Sequence, residues 1–350
     1  MSFFQLKISQ IIDRGSEVME YILQPLDGEK PPYLAGQFLP LSFRSNNREL
    51  RRSYSLCSSP VVDEPLSIAV KRVENGEISR FLHHKTAVGD TLTALLPNGQ
   101  FTYIPEKESR RQVFLFAAGV GIAPLFSILK TLLAAETESK AVLVYSNRSA
   151  DETLFYNELQ LLQGRYSNRL KIIWFFSHSK NLLMARLNNT LIRQVVESNR
   201  DAACETLFYT CGPMLYMDLC RITLLGMGID KQRIKRETFF IAEDEADDDD
   251  ATEKDVKDKN TYTVLIERSG KEYQIEVPWH KRILEVALAQ QIDLPYSCQA
   301  GMCSTCTATC TAGTVRMDYN EVLTDDEVER GRVLVCTAHP TTNGTRITYP

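Results

Sequence analysis

The sequence predicts a multidomain chain: an antiparallel β-barrel, then an α/β domain on a parallel sheet, then a small α+β domain. Three observations predict it. The residue pattern changes character near residue 105, an acidic stretch almost free of apolar residues runs from Ile241 to Asn260, and five of nine cysteines fall in the last quarter. At 350 residues the chain exceeds the roughly 100–200 typical of one domain, so two or three are expected.

Residues 1 to about 105 carry short alternating runs, FQLKISQII, EYILQP, QFLPLSF and LSIAVKRV, with Gly and Pro between many of them. A period of two gives each strand one apolar face, which suits antiparallel strands curling into a small barrel. From Arg111 to about residue 240 the apolar runs QVFLFAAG, AVLVYSN, LKIIWFFSHS and TLFYTCG alternate with helical stretches such as APLFSILKTLLAAE. That alternation is the signature of a parallel sheet built from βαβ units. Residues 241–260 hold ten acidic residues against three lysines and cannot bury enough to fold. They read as a solvated linker, with an acidic docking site for a partner as the alternative. In residues 261–350, YTVLIERSG and KEYQIEVP read as a hairpin and RILEVALAQQ as a helix leading into a cysteine loop. There is no internal repeat.

Net charge is −5 overall and +2 outside the acidic stretch, so no basic excess points to nucleic acid. The start, MSFFQLKISQIID, lacks the features of a signal peptide, and no apolar run approaches a membrane span. A cytoplasmic protein is expected, and in a reducing compartment clustered cysteines favour metal ligation over disulfides. Oligomeric state has no signal in the sequence.

The stretch Ala117-Ala118-Gly119-Val120-Gly121-Ile122-Ala123-Pro124 follows a strand and opens a helix. Glycines let backbone approach a pyrophosphate, and the helix start supplies N–H groups and a positive dipole end. Its GxGxxP pattern departs from GxGxxG, but its context favours a nucleotide site over a purely structural turn. The next strand ends at Tyr145-Ser146-Asn147-Arg148, with no acid until Asp151. An acid there would bond the ribose of NADH, whereas Arg148 suits the 2′-phosphate of NADPH. NADPH is therefore expected, with NADH as the alternative if Arg148 is only a solvated loop charge.

Arg51-Arg52-Ser53-Tyr54-Ser55 is read as following a strand. Arginine there can hold a phosphate, Tyr54 can lie along an aromatic ring, and Ser55 can bond a ring nitrogen. Gly76-Glu77-Ile78-Ser79 opens a helix and offers a second phosphate cradle. On residues alone each of these is a weak signal, and a basic pair before an alternating strand is more often surface than site. His83 and His84 lack a second ligand set at metal spacing and read as surface or barrel-rim residues, and Met214 and Met217 as helix packing.

Cys298, Cys303 and Cys306 have the spacing C-x4-C-x2-C, that of plant-type [2Fe–2S] centres, which need a distant fourth cysteine. Cys336 in RVLVCTAHP is that candidate. Cys310 is the local rival, but the first gap is wrong for a two-cluster ferredoxin, Thr311 stands where proline should be, and there is no second set of ligands. TATCTAGTVRM reads instead as a strand leaving the loop, with Cys310 a partly buried side chain. Zinc sites usually pair well-separated CxxC units, which are absent here. Gly301 and the small Ala300 and Ser304 fit a loop whose N–H groups approach cluster sulfurs.

Arg52-x-Tyr54-Ser55, Gly76-x-x-Ser79, the GVGIAP loop and Cys211-Gly212-Pro213-Met214 occur in the order of the ferredoxin–NADP reductase superfamily. With the C-terminal cysteine loop, the whole chain resembles the reductase components of multicomponent oxygenases, in particular the phenylacetyl-CoA epoxidase reductase-like group. The resemblance implies an FAD-binding barrel (1–105), an NAD(P)-binding domain (106–240), the linker (241–260) and a β-grasp ferredoxin domain (261–350). It implies that Arg52, Ser53, Tyr54 and Ser55 bind the flavin, with Tyr54 on the isoalloxazine and Ser55 near N5. Ala69 and Val70 would lie beside the flavin, and Gly76, Ile78 and Ser79 would hold the FAD pyrophosphate. FMN, used by some relatives, is disfavoured by the GEIS segment. Gly119, Gly121, Cys211, Gly212 and Pro213 would face the nicotinamide nucleotide, and Ser55 and Cys211 would be the catalytic positions. The plant reductases end in an aromatic residue that shields the flavin, whereas here the chain continues past Phe239 and Phe240.

The implied function is electron transfer from NADPH through FAD and a [2Fe–2S] cluster to the oxygenase of an aromatic or acyl-CoA degradation pathway, or to another electron-accepting protein. A reductase for a lipid or steroid hydroxylase or desaturase is the alternative, and a non-enzymatic redox sensor is the rival from another class. The linker composition further suggests that the ferredoxin domain shuttles.

Overall fold

The structure, a computed structural model, describes residues 3–45, 48–181, 185–201, 203–239 and 259–349. The acidic linker expected at 241–260 lies almost wholly outside the described residues, as does Phe240. Two compact units make up the chain. Ser2–Phe43 goes with Tyr54–Phe239, and Arg44–Ser53 goes with Phe240–Pro350.

The N-terminal strands are β1 (Phe3–Asp13), β2 (Val18–Pro25), β3 (Phe38–Ser45), β4 (Arg48–Ser55) and β5 (Leu66–Lys71), then helix α1 (Glu77–Lys85) and β6 (Thr91–Leu95). They form a six-stranded sheet in the order β4-β3-β6-β1-β2-β5. The pairings β1–β2, β1–β6, β2–β5 and β3–β6 are antiparallel. An isolated antiparallel bridge joins Leu56, just past β4, to Ile68 of β5, the strand at the other end of the order. The expected barrel thus takes the form of a six-stranded antiparallel sheet with a bridge between its end strands. The sequence RRSYS lies inside β4 rather than after a strand: its charged residues hide the period-two signal.

The second part runs β7 (Arg111–Ala118), α2 (Ile122–Ala135), β8 (Lys140–Asn147), α3 (Tyr156–Arg165), β9 (Leu170–Phe176), α4 (Asn189–Asn199), β10 (Glu205–Cys211), α5 (Met214–Leu225) and β11 (Ile234–Glu237). Its sheet is wholly parallel in the order β11-β10-β7-β8-β9. Seven of the eight residues of β7 are buried because both faces are covered. Val113, Leu115 and Ala117 pack on the side of α2, while Phe114 and Phe116 pack on the side of α4 and α5. Each such Val, Leu or Phe contributes about 1.5–3 kcal/mol on burial. The chain leaves β7 toward β9 and returns at β10 on the other side of β7. The crevice at the carboxyl ends of β7 and β10 is therefore the topological switch point, where open α/β sheets bind ligands.

The C-terminal part comprises β12 (Thr261–Arg268), β13 (Lys271–Pro278), α6 (Ile283–Ala289), β14 (Thr307–Ala312), β15 (Val315–Met317), α7 (Asp325–Glu329), β16 (Arg332–Leu334), β17 (Ala338–Pro340) and β18 (Thr345–Thr348). Its main sheet has the order β13-β12-β18-β14-β16 and is mixed, since β12 and β18 run parallel and the rest antiparallel. The expected hairpin turns on Ser269 and Gly270, both at positive φ (50° and 72°), as a two-residue turn matched to strand twist requires. The single strand read from TATCTAGTVRM is broken at Gly313 and Thr314 into β14 and β15. At Gly313 (φ +74°) a Cβ would meet side-chain oxygens of Thr342 and Thr345 at 2.8 and 2.7 Å. Val264, Ile266, Ile283, Leu284, Val333 and Ile347 fill the core, together with Cys306 and Cys336.

Candidate functional site

At the switch point, Gly119–Gly121 forms a 3-10 turn between β7 and α2. A Cβ on Gly121 would lie 2.3 Å from the Cys211 carbonyl oxygen and 2.7 Å from Gly212 N. A Cβ on Gly212 would lie 2.9 Å from Ala118 Cβ. The two glycines thus bring the loops after β7 and β10 into backbone contact. Gly119 sits at φ +54° with open space around its missing Cβ, and Tyr145 Oη donates to its carbonyl at 2.9 Å. Pro213 precedes α5, Met217 is buried in that helix and Met214 stands at its start.

Cys211 is fully buried and lies opposite Glu237 in the β10–β11 register. Burial first, and then the Glu237 charge, push its thiol well above the usual range, so it stays neutral. On the opposite face of β10, the Thr210 hydroxyl is fully buried with no hydrogen-bond partner among the described residues. Arg148 follows β8 with its side chain 74% exposed, 3.8 Å from Glu152. The positions expected to face the nicotinamide nucleotide therefore share one crevice, with Arg148 at the end of the next strand.

On β4, Arg52 Nη1 donates to the Arg51 carbonyl at 2.8 Å, and Ser53 Oγ bonds Ser297 Oγ. Ser55 is buried, whereas Tyr54 is partly exposed. Ala69 and Val70 are buried on β5, and the Val70 carbonyl is 2.9 Å from His83 Nε2. His83 therefore ties α1 to β5, while His84 is exposed. Gly76 precedes α1 without a side-chain cap, leaving first-turn N–H groups for an anion. Ile78 and Ser79 are buried in that turn. Ser79 Oγ accepts from Val73 N at 3.1 Å and donates to the Gly76 carbonyl at 3.2 Å, so the hydroxyl shapes the turn rather than pointing free. A Cβ on Gly76 would meet Ser79 Oγ at 2.5 Å.

In the cysteine loop, backbone N–H groups point at sulfur. Ala300 N and Met302 N each donate to Cys298 Sγ at 3.4 Å, and Cys298 N to Cys303 Sγ at 3.4 Å. The thiols are also linked to one another, Cys298 to Cys303 and Cys336, and Cys336 to Cys306. At Cys298 the bond to Cys303 lowers the pKa, but the bond to Cys336 and burial outweigh it and the thiol is raised. Cys303 is raised by its bond to Cys298 and by burial. Cys336 is raised as well: its bond to Cys298 lowers it, but the bond to Cys306 and burial prevail. Cysteines gathered this closely, with backbone N–H groups turned to sulfur, suit a cationic centre that would hold them as thiolates. Among the described residues no three His, Cys, Asp or Glu side chains surround a single ion position. A two-iron cluster divides four sulfurs between two metals and needs no such common point. Cys310 stands apart on β14, its thiol 3.3 Å from the Ala312 carbonyl.

Three family models match in succession: an oxidoreductase FAD-binding domain over 6–103, an oxidoreductase NAD-binding domain over 115–221, and a 2Fe-2S iron-sulfur cluster binding domain over 266–341. The ferredoxin reductase component of 3-ketosteroid-9-alpha-monooxygenase from Mycobacterium tuberculosis is 31% identical over 99% of this chain and 95% of its own. The chain belongs to the reductase components of multicomponent oxygenases. A component of the 1,2-phenylacetyl-CoA epoxidase from Escherichia coli is 32% identical over 91% of this chain and 89% of its own. The solved structure of phthalate dioxygenase reductase superposes with a TM-score of 0.63 at 25% identity, covering 99% of this chain and 98% of its own. As an oxygenase reductase component, the chain is an oxidoreductase that carries electrons from NAD(P)H via FAD and a [2Fe–2S] cluster to an oxygenase. Among its described residues no helix is long and apolar enough to cross a membrane.

Three residues near these sites were given no role by the sequence reading. Tyr145 props the Gly119 carbonyl, Glu237 lies opposite Cys211, and Phe239 packs on the core that contains Ala117 and Cys211. Tyr145 and Glu237 sit on strands whose burial does not alternate, so no period-two pattern singles them out. Phe239 carried only the hint of the terminal aromatic in the plant reductases.

Proposed function

We propose that this reductase takes electrons from NADPH and delivers them to the oxygenase of an aromatic or acyl-CoA degradation pathway. The carrying observation is the reciprocal closure of Gly121 on Cys211 and of Gly212 on Ala118, which builds a nucleotide crevice beside a neutral, buried thiol. FAD and the cluster held by these residues would supply the chemistry that turns a two-electron hydride donor into a source of single electrons. The chain's own residues bind, orient and screen. Arg52, Ser53, Tyr54 and Ser55, with Ala69 and Val70, hold the isoalloxazine, and the start of α1 at Gly76, Ile78 and Ser79 holds the pyrophosphate through backbone N–H groups. Gly119, Gly121, Gly212 and Pro213 admit the nicotinamide, and Cys211 packs against it as an uncharged surface. Phe239 supplies the aromatic cover that the plant reductases place at their terminus. Cys298, Cys303, Cys306 and Cys336 ligate iron, with the N–H groups of Ala300 and Met302 turned to sulfur. The domains run 1–105, 106–240 and 261–350, joined by 241–260.

NADPH is preferred because Arg148, exposed and 3.8 Å from Glu152, stands where an acid would select NADH. A charge-assisted bond to the 2′-phosphate is worth about 1.5–3 kcal/mol, so Arg148→Gln should lower kcat/KM for NADPH roughly 10–150-fold and leave NADH nearly unchanged. A parent enzyme faster with NADH would refute the preference. The steroid-oxygenase relative, which aligns over 99% of the chain, favours a second reading as a steroid hydroxylase reductase. Reconstitution with purified diiron and Rieske oxygenases separates the two: product formation with a steroid oxygenase alone would reject the first.

A further inference from the structure

Strand β4 carries two sets of side chains, because successive residues of a strand point to opposite faces. Arg52 and Tyr54 share one face, and both belong to the flavin motif. Glu49, Arg51 and Ser53 share the other. Arg51 is only 3% exposed, rare for arginine unless it is partnered. Its guanidinium carbon lies 4.1 Å from the ring centroid of Tyr296, and its Nε donates to Glu49 at 2.8 Å. Arg51 Nη1 also approaches the Tyr296 carbonyl at 3.5 Å, and Ser53 Oγ bonds Ser297 Oγ. Tyr296 and Ser297 are 5% and 2% exposed, and the next residue is Cys298. Beyond them the loop opens again, for Gln299 is exposed and Ala300 and Met302 are half-exposed.

We propose that the contact of Arg51 and Ser53 with Tyr296 and Ser297 is the electron-entry contact of the cluster loop. Arg51 is a positioning residue for the transfer step. The proposal rests on the reading of Arg52 and Tyr54 as flavin residues. Arg51, on the face of β4 opposite Arg52 and Tyr54, then holds the loop that leads into Cys298. The step served is a one-electron transfer from reduced flavin to the oxidised cluster. No covalent bond between heavy atoms forms or breaks, and the flavin proton leaves to solvent. A desolvated cation on an aromatic face makes the contact specific for arginine, because a lysine keeps the charge but loses the planar stack.

The test uses the full chain loaded with FAD and cluster, comparing the parent with Arg51→Met, Tyr296→Leu and the double variant. Rapid mixing with NADPH follows flavin bleaching and cluster bleaching separately, and amide exchange at 296–298 is measured alongside. Flavin reduction should stay within about twofold. Electron arrival at the cluster should slow about tenfold, the scale of one desolvated cation–π contact. The double variant should be little worse than either single one, and exchange at 296–298 should rise. Where Arg51→Met fails to fold, Arg51→Lys should give an intermediate slowing. Unchanged transfer with unchanged exchange would overturn the proposal, and so would loss of FAD in step with loss of transfer, since Arg51 would then belong to the flavin site. Arg52→Ala is the separate control: if it keeps FAD as tightly as the parent, the flavin reading fails, while the exchange data still judge the contact.

Discussion

Gly301 tests the cluster loop most directly. It sits at φ +73°, and a Cβ there would lie 2.6 Å from the Tyr319 carbonyl oxygen and 3.2 Å from Thr337 Cγ2. Replacing it with alanine puts an L side chain in the left-handed region, at about 1–2 kcal/mol. The clash is with backbone, so no rotamer relieves it. The loop must move away from Tyr319, straining the bond from Glu321 N to the Gly301 carbonyl (3.1 Å) or that from Thr337 Oγ1 to the Tyr319 carbonyl (2.9 Å). Losing one of these adds about 0.5–1.5 kcal/mol. The total, about 2–3 kcal/mol, corresponds to a factor of roughly 30–150 in the equilibrium that holds the loop around iron. The assay is the rate of cluster loss to an iron chelator, followed by visible absorbance. Gly301→Ala should release iron faster by about that factor. Gly301→Asn should be nearly as poor, because asparagine tolerates positive φ but keeps the Cβ. An alanine variant that holds its cluster like the parent would refute the reasoning.

Three further outcomes follow from the same geometry. Cys310→Ser should leave the cluster absorbance intact, since its sulfur is turned to the Ala312 carbonyl, whereas Cys336→Ser should abolish or strongly alter it; the reverse pair of spectra would overturn the ligand assignment. Gly121→Ala must push the two crevice loops apart by about an ångström, so kcat/KM for the nicotinamide nucleotide should fall about 100-fold with FAD and iron contents unchanged; parent-like kinetics would show that the Cys211 contact does not set the crevice. Glu136 is buried beside Arg111, Tyr103 Oη (2.7 Å) and Glu106 N (3.0 Å). Burial alone would raise its carboxyl, but the bonds from Arg111, Ser139 and Tyr103 prevail and hold it below the usual range. Its stabilisation is therefore complete above about pH 4.3, the ordinary value, and is lost as pH falls through the lower folded value. Glu136→Gln should cost about 3 kcal/mol at neutral pH and flatten the acid limb of the thermal melting curve, and an acid limb identical to the parent's would contradict this.

What the sequence made legible was whatever its local chemistry encodes. The apolar runs of β7 and β8 announce strands covered on both faces, and the spacing of Cys298, Cys303 and Cys306 announces a loop wrapped around metal. The GVG turn announces close backbone approach, although its nearest neighbour, the Cys211 carbonyl, could not be read from spacing. Strand β4 shows why the rest stayed hidden. RELRRSYS has no apolar alternation, so it carries no strand signal, and an arginine inside it reads as solvated. Arg51 is buried because its partner Tyr296 lies 245 positions along the chain, and no local pattern reports a contact that distant. The same reasoning separates the two arginines of the pair. Arg51 is held by Glu49 and the Tyr296 ring, whereas Arg52 donates to the Arg51 carbonyl, so the two have different partners. A basic pair that looks redundant in the sequence is, on a pleated strand, two side chains on opposite faces.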